Sequence, residues 1–205
     1  MKEADKLIVF DTETTGLDFE NDEILQLSII NSDGEVLFDR YFKPEEKTEW
    51  PEAQKFNGIS PEMVKDLPGY RDSLDQVKAI FENAETLVAY NNAFDVEMLK
   101  RWGINLEEKK QADVMKDFAL LYGEYQTEYN EFKWQKLSKC AEYFGYSFNP
   151  HNSLEDVKAT LYCYEKMEEM KQSGEYDRIV TENIVKIWGS SYEKKENKEI
   201  TKGVM

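Results

Sequence analysis

The chain has 205 residues and a mass of 24.1 kDa, enough for one substantial hydrophobic core and too little for two of ordinary size, so a single domain is expected. It holds no run of about 18 apolar residues, and its opening stretch MKEADKLIVF carries acids where a cleavable leader would be apolar. Neither a membrane span nor a secretory signal finds support, and a cytoplasmic location is expected. A net charge of −16, from 26 Lys and Arg against 42 Asp and Glu, runs against a long duplex footprint, because such binding rests on neutralising phosphates with basic side chains.

Lys6–Asp11 (KLIVFD) is a short, β-branched apolar run that reads as a buried strand, and Glu23–Asn31 reads as a second. The turn signal Ser32-Asp33-Gly34 then predicts that Glu35–Phe42 pairs back as a third, antiparallel strand. Ser60-Pro61-Glu62-Met63 combines a capping residue, proline at the first helical position and an acid in the first turn, which favours a short helix. A longer helix is expected over Ser73–Asn83, where Leu74, Val77, Ile80 and Phe81 fall at helical spacing. Thr86–Tyr90 (TLVAY) reads as a strand that feeds a helix over Phe94–Trp102, closed by Gly103; this is a βα unit of an α/β sheet.

Two further helices are expected over Asp113–Tyr122 and Trp134–Phe144, with Gly123–Lys133 as a surface loop between them. Ser153-Leu154-Glu155-Asp156 has the form of a capped helix start, and Val157, Leu161, Tyr164 and Met167 carry that helix to about Gln172, before Gly174. The domain is therefore drawn as 1–175. Residues 176–205 are read as a C-terminal helix and a polar tail, disordered after 193, with Ile179, Val180, Ile184, Val185, Ile187 and Trp188 either covering the domain or docking a partner. The two cysteines, Cys140 and Cys163, lie in helical sequence without C-x-x-C spacing and read as free thiols.

The chemistry-bearing residues are dispersed. Asp11 and Glu13 are two apart on a strand and so share a face, and paired carboxylates suit hard cations such as magnesium or manganese. Asp95 follows the strand TLVAY, at the place where α/β sheets present their loops. If the two strands are neighbours, three carboxylates converge and repel one another unless a metal binds them. Asp156 stands in the first turn of its helix, and His151, the only histidine of the chain, precedes that helix in a loop from which an imidazole can take a proton from water.

In this chain order the five residues resemble the DEDDh 3′→5′ exonuclease superfamily, which includes the proofreading epsilon subunits of replicative polymerases. FDTETTGL is similar to its first motif, NNAFD to its second, and the segment from His151 to Asp156 to its third in the histidine form. The likeness runs from Leu7 to about Met170 and includes Phe56-Asn57-Gly58-Ile59-Ser60 and Asp113. It departs at Tyr90 and Asn57, where many members have histidine.

The resemblance implies a ribonuclease H-like fold: an antiparallel meander followed by parallel strands in one mixed sheet flanked by helices. It also implies two divalent cations, Mg²⁺ or Mn²⁺, held by Asp11, Glu13, Asp95 and Asp156, with His151 as the general base. The terminal nucleotide would sit at Thr12, Thr14 and the Gly16-Leu17 corner, with Ile59 in the same subsite. Leu17 and Phe94 would lie against its base and Asn91 near its backbone. The implied activity is release of 5′-mononucleotides from nucleic acid 3′ ends, DNA in preference to RNA, in proofreading or repair. RNA trimming and a role as a DNA polymerase accessory module are the alternatives.

Overall fold

Ile8, Val9 and Phe10 are all fully buried although neighbours on a strand point to opposite faces, so the strand that bears them is covered on both sides. The computed structural model describes residues 6–187, and there that strand is β1 (Leu7–Thr14), at the centre of a five-stranded sheet. Its antiparallel neighbour β2 (Ile24–Asn31) pairs in turn with β3 (Val36–Tyr41). On its other side β1 runs parallel to β4 (Thr86–Ala89), which runs parallel to β5 (Lys110–Asp113). The order β3-β2-β1-β4-β5 is the expected mixed sheet, a meander followed by parallel strands.

Ile8 and Phe10 pack with Leu27, Phe81, Leu87 and Leu99 on the face covered by α3 (Leu74–Asn83) and α4 (Asn92–Lys100). Val9 joins Val88, Phe118, Val157 and Leu161 on the face covered by α5 (Val114–Tyr122), α6 (Leu137–Tyr143) and α7 (Ser153–Ser173). Each of these side chains contributes roughly 1.5–3 kcal/mol through removal from water. Cys140 and Cys163 are fully buried free thiols in the second layer.

Several boundaries differ from the sequence expectation. β1 does not stop at Asp11 but carries Asp11 and Glu13 within the strand, because β2 continues to pair with it through Glu13 and Gln26. A helix α1 (Pro51–Asn57) and a second short helix α2 (Pro61–Val64) flank Gly58, and only α2 was expected. Asp113 ends β5 and caps α5, its side chain accepting from the Met115 and Lys116 amides, so the helix starts one residue later than expected. The loop after α5 contains a small hairpin, β6 (Tyr125–Gln126) with β7 (Glu131–Phe132), and α6 is shorter than the span read from sequence.

The cap of α7 is also displaced. Asn152, whose side chain accepts from the Glu155 amide, takes the capping role, and Ser153 is the first helical residue. Its hydroxyl is thereby free to donate to the Asp11 carbonyl at 2.8 Å, which ties α7 to β1.

A last helix, α8, covers residues 175–187. Tyr176 is buried and Ile179 and Val180 are half-buried against the second layer, so this helix covers its own domain. Ile184 and Val185 face outward, while Trp188 and the tail lie outside the described residues. Among the described residues no helix is long and apolar enough to cross a membrane.

Candidate active site

Strand parity sorts the acids. Val9, Asp11 and Glu13 project toward the layer of α7, whereas Ile8, Phe10 and Thr12 project toward α4. The first turn of α7 brings Asp156 to the former face, and one carboxylate oxygen from each of Asp11, Glu13 and Asp156 lies within 4.8 Å of the others. Asp11 Oδ2 and Asp156 Oδ1 are buried with no hydrogen-bond partner. Buried carboxylate oxygens without donors are costly, and three hard oxygen donors in one cluster suit a hard divalent cation. The residues present therefore fit the metal that the resemblance implies.

Asp95 stands beside that cluster rather than in it. Pairing between β1 and β4 ends at Val9 and Val88, which leaves the Thr12 amide without a strand to bond. Asp95, in the first turn of α4, fills that place: its Oδ1 accepts from the Thr12 amide at 3.0 Å and from the Thr12 hydroxyl at 2.6 Å. Its charge still reaches Asp11.

The electrostatics follow from this crowding. Burial, then the charges of Asp95, Glu13 and Asp156, hold the Asp11 carboxyl well above the usual carboxylate range. Burial and the charge of Asp156 push Glu13 up to about 8, against a hydrogen bond from Asn57. Asp95 rises to about 7 by burial despite the Thr12 bonds, and Asp156 to about 7 by burial despite the His151 amide.

His151 adopts the left-handed conformation (φ 70°), and its amide donates to Asp156 Oδ2 at 3.1 Å. The peptide is thus fixed to a cluster acid while the side chain stays exposed, its ring 6.5 Å from that of Phe56. His151, Asp11 and Asp156 line one cleft of about 560 Å³ together with Phe56, Tyr90, Trp134 and Lys136.

The expected nucleotide-binding residues separate into two groups. Thr14 donates to the Gly16 carbonyl at 2.6 Å and shapes the corner from which Leu17 projects, 79% exposed. Only glycine fits at 16, since a Cβ would lie 2.2 Å from an Asp22 carboxylate oxygen that belongs to the loop's own knot with Thr15 and Lys47. Phe94 lies against the half-exposed Phe19, the ring centroids 5.5 Å apart and the planes tilted by 50°, and Asn91 takes a left-handed conformation ahead of α4. Ile59, in contrast, is buried with Leu25, Trp50 and Val64, and its carbonyl accepts from the Trp50 indole. The side chain is spent on packing.

Sequence reasoning passed over Phe56, Trp134 and Lys136 as walls of the cleft. The alternation Lys133-Trp134-Gln135-Lys136 was the available signal. The two departures have structural roles: Tyr90 donates to the Gln135 carbonyl at 2.8 Å, and Asn57 donates to the Thr14 carbonyl at 3.1 Å.

The fold superposes on E. coli exonuclease I from its complex with single-stranded DNA with a TM-score of 0.66, at 20% identity, covering 85% of this chain and 42% of that one. The mixed five-stranded sheet flanked by helices is a ribonuclease H-like fold, with Asp11 and Glu13 on its central strand. Residues 8–164 match the RNase_T exonuclease family, and the chain belongs to that family, within the DEDD exonuclease superfamily. Among relatives, the uncharacterized exonuclease CP81 of Escherichia phage 186 is 31% identical over 173 residues, 77% of this chain and 85% of the relative. PolC-type DNA polymerase III of Clostridium perfringens is 29% identical over 173 residues, 80% of this chain, and that of Caldanaerobacter subterraneus 32% over 171, 82% of this chain. The match spans only 12% of each polymerase.

Proposed function

We propose that this exonuclease is a divalent-metal-dependent 3′→5′ enzyme that releases 5′-mononucleotides from single-stranded or frayed DNA ends. The observation that carries the reading is the pair of buried, partnerless oxygens, Asp11 Oδ2 and Asp156 Oδ1, within a three-carboxylate cluster on the floor of an open cleft. Asp11, Glu13 and Asp156 would hold Mg²⁺ or Mn²⁺, with Asp95 adding negative charge beside them. Bound there, such cations activate water and offset charge on a phosphodiester.

The chain's own groups do the rest. His151 accepts the proton of the attacking water, its peptide set by the bond to Asp156. Asp95 keeps Thr12 and hence β1 in register with α4, so that Asp11 and Glu13 face the substrate. Leu17 and the Phe19–Phe94 pair offer apolar surface to the terminal base. Likeness to a DNA-bound exonuclease and to PolC-type polymerases favours DNA over RNA as substrate.

The test is digestion of a 5′-labelled oligonucleotide with Mg²⁺ or Mn²⁺. A ladder shortening from the 3′ end is expected, with loss of about 10³-fold in rate for Asp11→Ala, the equivalent of about 4 kcal/mol. No ladder, or one that Asp11→Ala leaves intact, removes the proposal. An RNA of the same sequence, digested in parallel, decides between the two nucleic acids.

A second reading, association with a polymerase, is favoured by the PolC relatives alone. Co-purification with a polymerase subunit would support it, and its loss on replacing the outward Ile184 and Val185 would locate the contact.

A further inference from the structure

The cleft over Asp11 and Asp156 does not end at His151. Trp134, Gln135, Lys136 and Ser138 line both it and a second groove of about 780 Å³, which runs on past Lys139, Tyr146 and Phe148. In a chain of net charge −16, three lysines and one acid, Glu142, are the charged side chains lining this groove. Trp134 is 54% exposed there and offers an aromatic surface to the groove.

The shared wall is fixed in place. The Tyr90 hydroxyl donates to the Gln135 carbonyl, and the Gln135 side chain donates to Glu124, so Trp134 and Lys136 are presented from a segment bonded on both sides. Lys136 is exposed and forms no ion pair with another described residue. Lys133 pairs with Glu124 at 2.7 Å and Lys139 with Glu142 at 3.0 Å, but these are exposed pairs of small net value, easily exchanged for phosphates.

We infer that this groove carries the upstream nucleotides of a single DNA strand whose 3′ end lies over Asp11 and Asp156. Three features select that occupant: continuity with the cleft, lysines for its backbone, and aromatic surface for its bases, the exposed Trp134 backed by the half-buried Tyr146 and Phe148. A rigid duplex is disfavoured by the acidic remainder of the surface. The inference rests on the exonuclease reading and adds to it a determinant of affinity for long substrates.

Lys133 and Lys139 line the groove and not the cleft, so the double variant Lys133→Gln/Lys139→Gln separates the two. Two substrates are compared in Mn²⁺: the p-nitrophenyl ester of thymidine 5′-monophosphate, too short to leave the cleft, and an oligothymidylate of about 20 nucleotides. For the oligomer, KM should rise about tenfold at low salt, and the slope of log KM against log salt should fall by about 1.4, since each lost single-strand phosphate contact removes about 0.7. Turnover of the ester should match that of the wild type.

An unchanged KM and slope for the oligomer, with normal ester turnover, overturns the groove and leaves the exonuclease reading standing. Equal losses on both substrates also overturn it, by placing the effect of the lysines in the cleft or in folding. A wild-type protein inert on both substrates defeats the exonuclease reading and the groove with it.

Discussion

His151 carries the only imidazole of the chain on a left-handed backbone, a conformation that costs most residues energy and that histidine tolerates better than bulky or β-branched ones. The bond from its amide to Asp156 offsets that cost and sets the ring beside the cluster. A general base of this kind contributes about 10²–10⁴-fold, so His151→Ala should cut kcat by that factor. Equal rates in the two proteins would refute the assignment. The gathering of Asp11, Glu13 and Asp156 was readable from sequence because strand parity and the motif resemblance both pointed to it, although β1 carries the first two within the strand rather than at its end. The turn of Asp95 onto Thr12 was not, since it depends on where β4 stops pairing with β1, a long-range fact that no local pattern encodes. Ile59 illustrates the converse: position in a motif suggested contact with substrate, while burial beside Leu25 and Trp50 gives the side chain a packing role.

Among the elements, α8 has the clearest consequence. Asn183 donates to the Leu120 and Leu121 carbonyls at 3.0 Å each, which closes the otherwise open C-terminal end of α5. Tyr176 adds a bond from its hydroxyl to the Asp117 carbonyl at 2.9 Å. Asn183→Ala should therefore lower stability by about 1–3 kcal/mol, because two carbonyls lose their donor. Thermal unfolding measures this, and an unchanged midpoint would show that α8 is only loosely associated. The same logic explains which elements were legible. β2, α3 and α7 announce themselves by apolar periodicity, whereas β5 (KQAD) is short, polar and at the sheet edge, held by pairing to β4 rather than by its own pattern. Likewise Asn152 outcompetes Ser153 as the cap of α7 because Ser153 is engaged by β1, a partner remote in sequence.

For the whole molecule, the crowded carboxylates make stability depend on pH and on metal. Glu13 near 8 and Asp95 and Asp156 near 7 lie far above an ordinary carboxylate, about 4. Between about pH 4 and pH 8 the metal-free native state thus binds more protons than the unfolded chain, and this contribution to stability is lost as pH rises through that window. In EDTA the melting temperature should fall from pH 5 to pH 8, and Mn²⁺ should raise it more at pH 8 than at pH 5. Glu13→Gln should raise the metal-free midpoint at pH 8 while removing activity, each kcal/mol being worth roughly 2–4 °C for a chain of this size. A flat midpoint across the range, with no response to Mn²⁺, would contradict the cluster.

The two thiols buried where α6 meets α7 give the fold a built-in clock. Alkylating reagents attack the thiolate, and burial pushes the Cys140 thiol far up while both sulfurs lie beyond the reach of solvent. Iodoacetamide should leave the intact protein unmodified for as long as the helical layer stays closed. Its slow incorporation, followed by mass spectrometry, would then time the opening of that layer without any introduced label; prompt modification of both thiols would show that the layer breathes freely.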